Sequence, residues 1–209
     1  MDESLNRIAF WLAAHAPRIL SESLNPGAEA TELNALQHAV GQLLPPDYRA
    51  LYQRHDGLND EENAGNFFYG LQFLPLAHVW ADFQQRREAA PHPLAHVGPS
   101  IDPTNALTPN WLALAFDGSH GWLRIDLAPT GGGQYGQVIF WDEEYETAFP
   151  VAPSVATLLD TFANDLEASR YHLHADALVD GHEFLQPARA LDLVNWQTAA
   201  RFRRYAARR

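Results

Sequence analysis

Apolar residues recur at intervals of three and four over Asp2–Ala16, where Leu5, Ile8, Ala9, Leu12 and Ala16 share a face. This predicts an amphipathic helix with Ser4 as its cap, interrupted by Pro17. After the break at Asn25-Pro26-Gly27, a second helix is predicted over Ala30–Leu43, with Leu33, Leu36, Val40 and Leu43 aligned and Pro45-Pro46 ending it. A short helix is predicted over Pro46–His55, with proline at its start and Gly57 just past its end. Tyr48, Leu51, Tyr52 and His55 fall on one of its faces. Gly57–Gly65 reads as a loop rich in asparagine and acid, Phe67–Leu74 as a strand, and Pro75–Ala89 as a helix with Val79, Trp80 and Phe83 inward and Gln84–Glu88 solvated. The five prolines of Pro91–Pro109 mark an irregular connector.

The period then changes to two. Trp111–Phe116, Trp122–Leu127 and Gln137–Trp141 read as three strands joined by Asp117–Gly121 and by Thr130–Gly136, an antiparallel meander. Ser154–Glu167 carries the clearest helical stripe, Val155, Leu158, Leu159, Phe162 and Leu166, with Phe162 expected deep in the core. Beyond Arg170 the pattern weakens; a last helix is predicted over Ala190–Tyr205, carrying Leu191, Val194 and Phe202. Helices first, a meander in the middle and then a packing helix predict an α+β fold. Its central antiparallel sheet is packed by N-terminal helices and a C-terminal helix, with helical extensions at both ends. The whole chain, 1–209, reads as a single domain.

Composition narrows the chemistry. Among 209 residues there is no cysteine and no lysine, so all 14 basic residues are arginine. That excludes a disulfide framework, a zinc–thiolate site, a cysteine nucleophile, a lysine Schiff base and a phosphate loop of the Gly-Lys-Ser/Thr type. The net charge is −12, unevenly spread: Arg201–Arg209 hold five arginines and no acid, leaving nine basic and 26 acidic groups, a balance of −17, in the first 200 residues. Such a body repels nucleic acid and anionic membrane and attracts basic partners. The basic end is read as a solubilising terminus able to touch an acidic surface, the protein's own included. The acidic start, Met-Asp-Glu-Ser, lacks the basic character of a signal peptide, and the apolar run Ile8–Ala14 is too short to span a bilayer, so a cytoplasmic location is expected.

Several groups invite a chemical reading. Gly131-Gly132-Gly133 lies between two strands, away from any helix N-terminus that would complete a phosphate site, and reads as a hairpin loop. Asp117, Ser119 and His120 supply the residue types of a hydrolase triad but crowd into one five-residue turn, which suits turn residues better. His172, His174, Asp176, His182 and Glu183 are metal-ligand types without a recurring ligand spacing. Two acidic patches remain: Asp60-Glu61-Glu62, and Asp142-Glu143-Glu144 with Glu146, directly after Trp141. Each fits either a solvated face or a docking surface, in which acid raises association rate and aromatics carry affinity. No catalytic, metal-binding or cofactor-binding residue and no cofactor is assigned.

In order along the chain, several of these segments resemble the SUKH superfamily, a group holding a yeast cell-wall-assembly regulator and many bacterial toxin-immunity proteins. Leu44-Pro45-Pro46-Asp47-Tyr48-Arg49-Ala50-Leu51-Tyr52, closing at His55-Asp56-Gly57, resembles the family's opening signature, with Asp-Gly where Asn-Gly is common. Gly70-Leu71 to Leu76 is similar to the strand and helix entry that follow. Trp111–Gly118 resembles the tryptophan strand and turn, Leu123–Pro129 and Gly136–Ile139 the next strands, and Ala152–Leu159 the packing helix. The resemblance covers a core of about 31–167, leaving an N-terminal helical extension, 1–30, and a C-terminal extension, 171–209. It implies an α+β fold, no enzymatic activity, and, in bacteria, neutralisation of a toxin, often a nuclease.

Together these readings lead to a non-enzymatic protein-binding domain, first an immunity protein against a bacterial toxin. The alternatives are an intracellular regulatory scaffold and, behind it, a metal-dependent hydrolase. The expected partner is a basic protein, a toxin, met by Asp60, Glu61, Glu62, Trp141, Asp142, Glu143, Glu144 and Glu146; neither nucleic acid nor membrane is expected as a partner.

Overall fold

The structure, a computed structural model, describes residues 1–59, 65–90 and 92–206. Helix α1 (Asp2–His15) buries Leu5, Ile8 and Leu12, the stripe its sequence spaces on one face. A single π-turn, Ile19–Ser23, follows. Helix α2 (Ala30–Val40) opens with a reciprocal capping box between Glu29 and Glu32 and stops at Gly41, whose φ of 76° puts it in the left-handed region. It therefore ends before Leu43, which lies outside the helix and is 73% exposed rather than on the inward face. Helix α3 (Pro46–Arg54) starts on proline and buries Tyr48, Leu51 and Tyr52. Gly57 closes this segment with φ 68°; a Cβ there would lie 2.3–2.6 Å from the backbone of Leu74 and Pro75, so only glycine fits.

The aromatic run Phe67-Phe68-Tyr69 does not form the long strand its β-propensity suggests. Phe68–Gly70 is a 3₁₀ turn, with Tyr69 at φ 54° and Gly70 at φ 82°, and only β1 (Gln72–Phe73) pairs. All three aromatic rings are buried, so packing takes precedence over the extended conformation. Helix α4 (Leu76–Arg87) turns Val79 and Phe83 inward. It also buries Arg86, only 6% exposed, which corrects the expectation of a solvated run over Gln84–Glu88. The proline-rich connector contains β2 (His96–Val97) and a 3₁₀ turn, Pro103–Asn105.

The meander comprises β3 (Trp111–Phe116), β4 (Gly121–Asp126), β5 (Gln137–Asp142) and a fourth strand, β6 (Thr147–Ala152). The six-stranded sheet has the order β1-β3-β4-β5-β6-β2 and is antiparallel except where β2 joins β6 in parallel. The fold is α+β as expected, with a mixed sheet in place of a wholly antiparallel one. On one sheet face Leu123, Ile125, Val138, Phe140 and Phe149 meet α5 (Val155–Glu167), which Ser154 caps by accepting from Thr157 N at 3.1 Å. Phe162, 3% exposed, packs its ring 5.0 Å from Phe67, 5.5 Å from Phe68 and 5.2 Å from Tyr171. On the opposite face a second core joins Trp111, Ile139, Trp141 and Ala148 to Leu94, Ile101 and Ala106 of the connector.

After α5 come β7 (Tyr171–Leu173), α6 (Ala175–Val179) and β8 (Leu185–Pro187), with β7 and β8 forming a separate antiparallel pair. The helix predicted over Ala190–Tyr205 is instead a series of turns, with only α7 (Arg203–Ala206) helical. Trp196 and Tyr205 lie 5.4 and 4.2 Å from the Phe149 ring, and Leu193 and Phe202 are buried. These anchors fix the segment on the sheet and override its helical propensity. Part of the basic end binds the protein's own body: Arg201 reaches both oxygens of buried Asp165, at 2.6 and 2.9 Å.

Candidate interaction surface

Two turns at one end of the sheet lie side by side. The β3–β4 turn is organised by Asp117, whose Oδ1 accepts from Ser119 N at 2.7 Å and His120 N at 2.9 Å. Ser119 Oγ and His120 Nδ1 are 3.0 Å apart, but the carboxylate that would orient a catalytic histidine is bonded to backbone amides instead. The β5–β6 turn docks against this one: Glu143 N donates to His120 O at 3.0 Å, and the Glu144 carboxylate lies 3.8 Å from His120 Nε2. Glu146, at φ 45°, places its carboxylate 3.2 Å from His92 Nε2.

Glu143, Glu144, Tyr145 and Glu146 are exposed here, so three of the expected acidic residues share one surface. Trp141 and Asp142 do not join them. Strand alternation turns Trp141, 4% exposed, into the second core. Asp142, 0% exposed, accepts from Tyr145 N at 3.0 Å and Trp196 Nε1 at 2.8 Å, which fixes the turn from below. Neither can contact a partner from these positions. Asp60, Glu61 and Glu62 lie outside the described residues.

Beneath the turn is a group that sequence reasoning does not single out. Trp122 and Arg124 are in phase on β4, Trp122 pairs across with Trp141, and the Arg124 guanidinium sits 4.1 Å from the Trp122 ring centre and 5.1 Å from that of Trp141. Asp82 of α4 grips Arg124 with two hydrogen bonds, 2.6 and 3.0 Å. Arg86, one turn further along α4, lies 5.1 Å from the Trp141 ring centre and donates to Ala106 O. Burial, then the Arg124 charge, lowers the proton affinity of Arg86. Burial raises the Glu143 carboxyl, while the nearby Arg124 and Arg86 charges oppose that rise. Glu143 thus carries negative charge from the exposed turn toward a buried pair of arginines. The alternation Trp122–Arg124–Asp126 and the i,i+4 pair Asp82/Arg86 are the available signals.

The histidine-rich end is used structurally. His172 pairs with Gln186 at 3.1 Å, His174 Nδ1 accepts from Ala177 N to cap α6, and Glu183 accepts from the amides of Arg18 and Ile19 at 2.8 and 3.2 Å. Among the described residues no three histidines, aspartates or glutamates group so as to hold a metal. Gly131-Gly132-Gly133 lies in the β4–β5 loop, where Gly133 N bonds Thr130 O at 2.9 Å.

Residues 27–161, including every element of this surface, match the model of the SMI1/KNR4 family (SUKH-1). The chain belongs to that family. It is 28% identical to "Cell wall assembly regulator SMI1" of Saccharomyces cerevisiae over 81% of this chain and 41% of that protein. It is 27% identical to "Cell wall biosynthesis/cell cycle regulator smi1" of Schizosaccharomyces pombe over 84% of this chain and 38% of that protein. It is also 25% identical to "Glucan synthesis regulatory protein" of Neurospora crassa, covering 83% and 40% respectively. The chain thus spans about two-fifths of the length of these relatives. These alignments cover more of the chain than the family model does.

Proposed function

We infer that this chain is a regulatory protein-interaction domain that acts by binding and without catalysis. The observation that carries the reading is the family membership together with relatives named as regulators of cell-wall assembly, cell-wall biosynthesis and glucan synthesis. These names favour the regulatory scaffold over toxin neutralisation, which has no comparable support here. A basic protein is the partner best matched by the charge: Glu143, Glu144 and Glu146 project from one sheet end of a chain with net charge −12. Nucleic acid and anionic membrane are disfavoured by the same charge, and among the described residues no helix is long and apolar enough to cross a membrane. The cytoplasm is the proposed location.

The test is capture from the native host with the wild-type chain and with the triple variant Glu143→Arg, Glu144→Arg, Glu146→Arg. The expected result is a defined set of basic proteins retained by the wild type and lost by a folded variant. Retention of the same set by both would move the interface elsewhere. A turnover activity that copurifies with the wild-type chain and disappears on substituting one of its own side chains would overturn the non-catalytic reading.

A further inference from the structure

Away from the acidic turns, a cleft of about 340 Å³ opens between α2 and the first turns of α4. It is lined by Glu32, Ala35, Asp56, Leu76, Ala77 and Trp80, all within the segment matching the family model. The walls are small and apolar. The Trp80 indole is half-buried and packs at 6.0 Å from Phe83, which fixes its orientation. Among the described residues each carboxylate accepts from one backbone amide: Asp56 Oδ1 from Leu76 N at 2.6 Å, and Glu32 Oε2 from Glu29 N at 2.9 Å. Among the described residues neither carboxylate forms an ion pair. Asp56 carries the consequence: burial raises its carboxyl above the ordinary range, and the neighbouring Glu32 charge adds to the rise.

An aromatic ring, apolar walls and two fixed, uncompensated carboxylates define an occupant by charge. A purely apolar group would strip water from both carboxylates and give them nothing in return. An anion would be repelled. We propose that this cleft receives an arginine side chain from a protein partner. Its stem lies along the apolar wall formed by Ala35, Leu76 and Ala77, and its guanidinium is shared by the Trp80 ring and the carboxylates of Asp56 and Glu32. Arginine suits the site better than lysine because its planar fork stacks on an indole and hydrogen-bonds carboxylates in the same plane. The site rests on the protein-binding reading above, but it uses none of the acidic-turn residues.

The probe is the peptide Ac-Leu-Arg-Leu-NH₂, with Ac-Leu-Gln-Leu-NH₂ as its neutral counterpart. Both are titrated into the full chain while the Trp80 indole NH resonance is followed, assigned by its absence in Trp80→Phe. The arginine peptide is expected to shift that resonance saturably and to bind about tenfold tighter than the glutamine peptide, as a charged hydrogen bond on an aromatic face would give. Glu32→Gln and Asp56→Asn are each expected to weaken it about five- to tenfold, whereas Glu144→Gln leaves it unchanged. The Asp56→Asn side chain still offers an oxygen to Leu76 N. If that variant nevertheless fails to fold by circular dichroism, Glu32→Gln, on the exposed side of α2, decides the matter. Equal affinity for the two peptides, the absence of a saturable shift, or a shift insensitive to Glu32→Gln would overturn the proposal. Loss of binding in Glu144→Gln would do the same and would return the charge recognition to the acidic turn.

Discussion

Arg124 on β4 and Asp82 on α4 meet fork to fork at 2.6 and 3.0 Å, and this pair ties the helix to the tryptophan-bearing face of the sheet. The Arg124 side chain is 1% exposed and that of Asp82 15%. Asp82 also lies 3.7 Å from Arg86 Nε, so one carboxylate compensates two buried guanidinium groups. Removing it by Asp82→Ala is expected to cost about 3–5 kcal/mol, because both cations stay buried without it. Urea denaturation monitored by tryptophan fluorescence measures this, and a loss below about 1 kcal/mol would mean that water or Glu143 takes over the role.

Trp141, which its acidic neighbours suggest for the docking surface, instead packs edge-on to Trp111 at 6.1 Å, beneath the turn. Trp141→Ala should therefore act on stability, by about 3–5 kcal/mol as for other buried aromatics. In conditions where the variant remains folded, the dissociation rate of a captured partner should not change. A stable variant with faster dissociation would place the ring in the interface.

The Asp142–Trp196 hydrogen bond, 2.8 Å between fully buried groups, fastens the C-terminal segment to the acidic turn. Trp196→Phe keeps most of the ring but leaves one carboxylate oxygen without its donor. The expected cost is about 1–3 kcal/mol, read from the denaturation midpoint. Amide hydrogen exchange should also rise at Tyr145, whose N–H is held by the other Asp142 oxygen.

The Asp56 carboxyl is raised above its unfolded value of 3.8, chiefly by burial. Between those two pKa values the folded state binds more protons than the unfolded state, so this group's contribution to stability is greatest below pH 3.8 and is lost as pH rises through the folded pKa. Asp56→Asn removes that titration and keeps a side-chain oxygen for Leu76 N. The stability of the wild type minus that of Asp56→Asn should fall as pH is raised from about 3 toward neutrality. A flat difference would show that the carboxylate is already compensated.

The meander and α5 are legible in the sequence because their patterns are local: a short continuous apolar run bounded by turn residues on Trp111–Phe116, and a stripe every three or four residues on Val155–Leu166. Strand β6 is hidden by Pro150, which argues against an interior strand. The sheet accommodates it because β2 is only two residues long and pairs with Thr147 and Ala148, leaving Pro150 beyond the end of that ladder, next to a register shift on β5. The C-terminal turns read as a helix because what fixes them is tertiary: Trp196, Phe202 and Tyr205 all lie against Phe149. At the candidate surface, charge picks out Glu143, Glu144 and Glu146. It does not separate them from Asp142, which is their neighbour in sequence and is fully buried. Arg86 reads as solvated since a charged residue near a helix end is usually exposed; the partners that bury it come from the connector and from β5.

That the acidic sheet end meets a basic protein is tested most directly by association kinetics between the full chain and its captured partner across a salt series. Glu144→Arg with Glu146→Arg changes only exposed turn positions. The expected result is a large drop in association rate at low salt that narrows as salt rises and the Debye length falls below about 8 Å, with little change in dissociation rate. Association rates equal to those of the wild type at every ionic strength would contradict it and leave Glu144 and Glu146 as ordinary solvated residues.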